Sequence, residues 1–157
     1  MRRLVSIAFA LTAFALPLAA QAHPDFSGKW VMDPKTAEGP MTPTAMTMNA
    51  TQDTKTLKLE TATTAMGMEQ KLTLTFNLDG TQSKNTANTP NGALELVSTS
   101  KWDGATLVVT TNVDLGGQPL EQIDRYTLDA DGKTLRTQRS VAVAGQNVQL
   151  KMNFAKQ

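Results

Sequence analysis

Cysteine is absent from this 157-residue chain, and there is only one histidine, His23, and one tyrosine, Tyr126. Without cysteine the chain has no disulfides, thiolate metal sites or cysteine nucleophiles. It also lacks the lipid-bearing cysteine of a bacterial lipoprotein. One histidine near the start of the chain supplies neither a Ser-His-Asp relay nor a cluster of imidazole metal ligands. No glycine-rich phosphate loop follows a strand pattern. Paired carboxylates such as Asp129 with Asp131, or Asp103 with Glu95, fall in turns or on outer faces. The chain is therefore not read as an enzyme, and no cofactor is expected. Basic runs are missing too, which leaves no electrostatic footprint for nucleic acid.

Long apolar runs are confined to the beginning. Arg2 and Arg3 precede an almost unbroken apolar stretch over residues 4–16, Pro17 breaks it, and Ala20-Gln21-Ala22 forms a small-x-small cleavage site. This three-part pattern predicts a signal peptide over residues 1–22, too short to span a bilayer comfortably. The mature domain, residues 23–157, is then expected in a bacterial periplasm or secreted, with no membrane span. Without Arg2 and Arg3, 13 basic residues face 14 acidic ones, so the mature net charge is −1. A domain of this size can hold itself together by its core alone.

What the mature chain does have is period-two alternation. Met46, Met48 and Ala50 alternate with Thr47, Asn49 and Thr51. Leu72, Leu74 and Phe76 alternate with Lys71, Thr73 and Thr75, and Val148, Leu150, Met152 and Phe154 do so at the end. Such alternation, rich in threonine, marks half-buried strands. Asp79-Gly80, Asn91-Gly92, Asp103-Gly104, Gly116-Gly117 and Asp131-Gly132 are turn dipeptides that punctuate it. We count about nine strands and no sustained helical period. Asp33-Pro34 reads as a helix cap followed by at most one turn, ended by Pro43. The fold class is all-β: an antiparallel up-and-down meander barrel of about 8–10 strands, in which closure buries the apolar faces and removes the edges.

Three stretches carry a family resemblance. They are Asp25-Phe26-Ser27-Gly28-Lys29-Trp30 with Asp33-Pro34, Trp102-Asp103-Gly104 with the strand after it, and Arg125-Tyr126-Thr127-Leu128 leading to Asp131-Gly132. Gly28-Lys29-Trp30 resembles the Gly-x-Trp signature at the first strand of the lipocalin and fatty-acid-binding-protein superfamily. The whole is similar to small exported bacterial lipocalin-like (calycin-type) proteins. The resemblance implies structural roles for Gly28 and Trp30 at the barrel floor and an interior that holds a small apolar or amphipathic molecule. It also implies a late arginine, Arg139, packed across Trp30. Residues 33–44 are too short and proline-rich for a helical lid.

The residues themselves leave several readings open. Arg139 lies on the apolar phase of Leu135, Val141 and Val143, and Ser98 and Ser100 lie on that of Leu94 and Leu96. Arg139 is then an interior anchor for a ligand carboxylate, flanked by these hydroxyls and by Tyr126. Otherwise it is, as the resemblance implies, a cation stacked on Trp30, or it is a residue turned to solvent by a bulge. Trp102 is either a stacking wall for a ligand or a strand-end cap. Seven methionines lie beyond Met1, and Met46-Thr47-Met48 and Met66-Gly67-Met68 are spaced to put paired thioethers on one strand face. Those four, with His23 as a new N-terminus, form a candidate copper(I) site. The alternative use of the methionines is as flexible core or pocket lining. A third reading is a structural or interaction protein with a filled interior.

Overall fold

The computed structural model describes residues 23–40, 42–90, 92–143 and 145–157, so the expected signal peptide lies outside the described residues. Among the described residues ten strands follow one another: β1 (Gly28–Glu38), β2 (Ala45–Gln52), β3 (Thr56–Ala65), β4 (Met68–Asn77) and β5 (Ser83–Thr89), then β6 (Gly92–Asp103), β7 (Thr106–Asp114), β8 (Pro119–Leu128), β9 (Thr134–Val143) and β10 (Gln146–Lys156). Strands adjacent in sequence pair antiparallel, except β4 with β5, and β1 also pairs antiparallel with β10, giving a sheet in the order β4-β3-β2-β1-β10-β9-β8-β7-β6-β5. The result is an all-β up-and-down barrel, nearly closed. Among the described residues no helix is long and apolar enough to cross a membrane.

The seam lies between β4 and β5, and side chains bridge it. Asn85 accepts from the Thr75 N–H at 2.7 Å and donates to the Thr75 carbonyl at 3.0 Å, so one amide takes the place of a ladder residue. Below it Asn77 donates to the Gln82 carbonyl at 2.9 Å, and Ser100 donates to the Asn77 carbonyl. Asp79-Gly80 is therefore a turn between two strands that do not pair. β5 is the strand that alternation misses. Its inward positions are Ser83, Asn85 and Ala87, which carry almost no apolar signal.

The expected helical turn at Asp33-Pro34 does not form. The segment is part of β1, which bulges: Asp33 pairs with Asn153 and Glu38 with Lys151, so the longer stretch of β1 is taken up opposite two steps of β10. Pro34 has no N–H to give to a ladder. Asp33 instead accepts from the Lys35 N–H at 3.0 Å, and the Thr36 hydroxyl accepts from the Asn153 N–H at 3.1 Å. At Gly39, with φ +115°, a Cβ would lie 2.2 Å from the Gln149 carbonyl oxygen. Only glycine lets the chain lie this close to β10 as it leaves the strand.

Inward side chains divide the barrel lengthwise. At the floor, Phe26, Trp30, Leu57, Phe76, Leu107 and Phe154 are fully buried. Toward the other end the same inward phases carry Leu72, Leu96, Val113, Leu120, Val141 and Leu150, and these are only half-buried. The barrel is packed solid at one end and open to water at the other.

Candidate functional site

The middle of the barrel holds an ion pair set by strand register. Asp124 on β8 is directly opposite Arg139 on β9, and both lie on inward phases. Arg139 Nε donates to Asp124 Oδ1 at 2.7 Å, and Nη2 reaches Oδ2 at 3.4 Å. Gln122, two residues back on the same face, donates to Asp124 Oδ2 at 2.6 Å. The Asp124 side chain is 6% exposed and that of Arg139 32%, so the carboxylate is shut in while the guanidinium borders open space. Tyr126, one step further toward the floor, is buried and lines the same cavity as Arg139. The Asp124 charge holds the Arg139 guanidinium even more firmly protonated than usual. Burial, reinforced by the Asp124 charge, pushes the Tyr126 phenol well above its ordinary range. This wall therefore carries an ion pair and a neutral phenol.

A cavity of about 150 Å³ lies against the pair. One wall is polar, from Asp124, Tyr126, Thr137 and Arg139. The other is mainly apolar, from Met46 and Met48 on β2, Leu59 on β3, Leu72 and Leu74 on β4, and Met152 and Phe154 on β10. Thr61, Thr63 and Gln70 add polar atoms between them. An apolar cavity of this size accommodates a group about as large as benzene. The thioethers suit such a wall because their torsions adjust to whatever fills it.

The structure brings Tyr126, Arg139, Met46 and Met48 together and places the other expected residues elsewhere. Ser98 shares a hydrogen bond of 2.8 Å with Thr111, and Ser100 is tied to the seam through the Asn77 carbonyl, so neither hydroxyl faces the cavity. Trp102 lies at the floor end, stacked on His23 with ring centroids 4.1 Å apart and planes 4° apart, with Phe26 5.9 Å away. Trp30 is fully buried and donates its indole N–H to the Phe26 carbonyl at 2.8 Å. The cation over its ring is Lys156, 5.2 Å from the centroid, and not Arg139. Lys156 passes over Gly28, where a Cβ would lie 2.7 Å from its Cε. β9 pairs without interruption on both sides, so no bulge turns Arg139 outward.

The four methionines do not converge on a metal site. Met66 has φ +51° and forms, with Gly67, the two-residue turn that closes the Ala65–Met68 pair. Period two does not run through a turn, so Met66 and Met68 do not share a strand face, and both are exposed, at 84% and 69%. Met46 pairs with Thr63 and Thr63 with Gln70, which sets the backbones of Met46 and Met68 about 12 Å apart by ordinary strand spacing. His23 is at the opposite end of the barrel, on Trp102.

Asp124 and Gln122 are the members of the site that sequence reading missed. Their signal was available, because Asp124 lies on the inward phase of Tyr126 and Leu128. Opposite charges on the inward phases of adjacent strands are the mark of a cross-strand interior pair.

No protein-family model matches the chain, and no curated protein matches it in sequence. Solved structures do match it in shape. Secretory abundant heat soluble protein 4 from Ramazzottius varieornatus superposes with a TM-score of 0.55 at 16% identity, over 88% of this chain and 99% of that one. Zebrafish ileal bile acid-binding protein, complexed with cholic acid, superposes with a TM-score of 0.56 at 14% identity, over 84% of this chain and 98% of that one. At such identities the likeness is one of fold, and the fold they share with this chain is the calycin-type β-barrel of the lipocalins and fatty-acid-binding proteins.

Proposed function

We propose that residues 23–157 form an exported small-molecule-binding barrel, a carrier that holds an amphipathic molecule with its polar head at the Asp124–Arg139 pair and its apolar part among Met46, Met48, Leu59 and Met152. The observation that carries this reading is the two-sided cavity, apolar on one wall and polar on the other, beneath an end of the barrel that is open to water. Ligand pockets are built this way, mostly apolar with a few placed polar groups. The zebrafish protein, in the same fold, is complexed with cholic acid. The cavity is small, so it suits a short chain or a single ring, with any larger remainder extending toward the half-buried Leu72, Leu96 and Leu150. The reading is binding and not catalysis, because Asp124 is engaged by Arg139 and Gln122 and Tyr126 is held neutral. The leader pattern supports a place outside the cytoplasm of a bacterium, in the periplasm or beyond.

Calorimetric titration of the 23–157 chain with eight-carbon amphiphiles tests this. Saturable binding of one molecule per chain is expected for at least one head group. Met46→Trp, which fills the cavity, is expected to weaken it about tenfold or more, since overpacking leaves no room for a tail. Binding that Met46→Trp leaves unchanged, or no saturable binding at all, would overturn the proposal.

A further inference from the structure

Resting on that binding reading, we infer that the cavity selects a neutral polar head, such as a primary amide, an alcohol or an undissociated acid, over a carboxylate or ammonium ion, and that Asp124 sets the choice. An interior arginine by itself suits an anion. Here the arginine is already answered. Among the described residues its ion-pair partner is Asp124, held at 2.7 Å on the neighbouring strand. None of the other residues around the cavity carries a charge. The polar wall is therefore balanced before any ligand arrives.

A carboxylate entering this space would be stripped of water and would bring a net negative charge into an enclosure lined by thioethers, leucines and a phenylalanine. It would meet Arg139 across from an aspartate whose side chain is almost completely shut from solvent. An ammonium would be drawn to Asp124 but repelled by Arg139, and would lose its hydration in the same way. A neutral head with both a donor and an acceptor meets no such penalty. It can accept from the guanidinium, whose five N–H donors outnumber the two that reach Asp124. It can donate to a carboxylate oxygen of Asp124 or to the Tyr126 hydroxyl. Gln122 belongs to the same device: its amide, 2.6 Å from Asp124 Oδ2, holds the carboxylate in place on the side away from Arg139 Nε.

Three ligands of equal tail length separate the possibilities: octanamide, octanoate and octylammonium, titrated into the 23–157 chain by calorimetry near neutral pH. We expect octanamide to bind about tenfold or more tightly than either ion, since an uncompensated buried charge is costly. Asp124→Asn keeps an oxygen for Arg139 Nε and removes the negative charge. It is expected to raise octanoate affinity about tenfold or more while moving octanamide by no more than a few-fold. Octanoate or octylammonium binding to the wild-type chain as tightly as octanamide would overturn the inference and leave the binding reading intact. So would an Asp124→Asn chain, folded by circular dichroism, whose octanoate affinity is unchanged. Absence of binding by all three ligands to both proteins would overturn the binding reading and this inference together. The wild-type comparison decides the matter even if the variant does not fold.

Discussion

Asp124→Leu is expected to cost about 3 kcal/mol of folding stability, read as a lowered urea midpoint with an unchanged slope. The substitution leaves the Arg139 guanidinium inside the barrel with no counter-charge and removes the acceptor of the Gln122 amide. Breaking a buried pair from one side typically costs about 3–5 kcal/mol, and the lower end applies because the Arg139 side chain is 32% exposed and can lean toward water. The companion result carries equal weight. Asp124→Leu combined with Arg139→Met is expected to recover most of the loss, because two apolar side chains of similar bulk need neither hydration nor a partner. A double variant as unstable as the single one would mean that the loss arises from packing on β8 and not from the orphaned charge. The pair would then have no special role in the interior.

Trp30→Ala is expected to be the most damaging single change at the floor, at about 4 kcal/mol. The indole is fully buried among Phe26, Met48 and Phe154, and its N–H satisfies the Phe26 carbonyl at 2.8 Å. Trp30→Phe keeps most of the buried area but leaves that carbonyl unanswered, a loss of about 1–2 kcal/mol. The two together divide packing from hydrogen bonding. Fluorescence, in a Trp102→Phe background, then separates the two cations. Lys156→Ala should change Trp30 emission, because Lys156 lies over the ring at 5.2 Å, whereas Arg139→Gln should leave it unaltered. Emission that responds to Arg139 instead would place the wrong cation on the tryptophan.

Much of the barrel was legible because alternation is a local property with a global consequence. Inward phases such as Leu72, Leu74 and Phe76, or Met152 and Phe154, appear in the chain as they appear in the core. β5 was not legible, since its inward residues are Ser83 and Asn85, which are polar, and Ala87, whose methyl is too small to mark a phase. Pairing there is replaced by the Asn85 amide, a contact that depends on where β4 happens to lie. Asp33-Pro34 misled because an aspartate ahead of a proline satisfies the local needs of a helix cap and of a bulged strand alike. Only the partner, Asn153 on β10, decides between them.

The site follows the same division. The inward direction of Arg139 was in the pattern, and so was its proximity to Tyr126. Its partner was not found, because attention to apolar phases passes over an aspartate that shares one. The serines went astray for a different reason. A hydroxyl on an inward phase can satisfy itself sideways, as Ser98 does with Thr111 and Ser100 with the backbone of β4, and then offers little to a ligand. The Met66–Met68 spacing is that of a strand face, but the backbone at Met66 and Gly67 is that of a turn.

The methionines now serve as reporters. Met46, Met48 and Met152 line the cavity, while Met66 and Met68 stand in solvent at the β3–β4 tip. The most direct measurement of interior binding is a methionine-methyl NMR titration of the 23–157 chain with octanamide. The methyl signals of Met46, Met48 and Met152 should shift together and saturate at one equivalent, with those of Met66 and Met68 unmoved. Shifts confined to Met66 and Met68, or no saturable shift at the three cavity methionines, would contradict it.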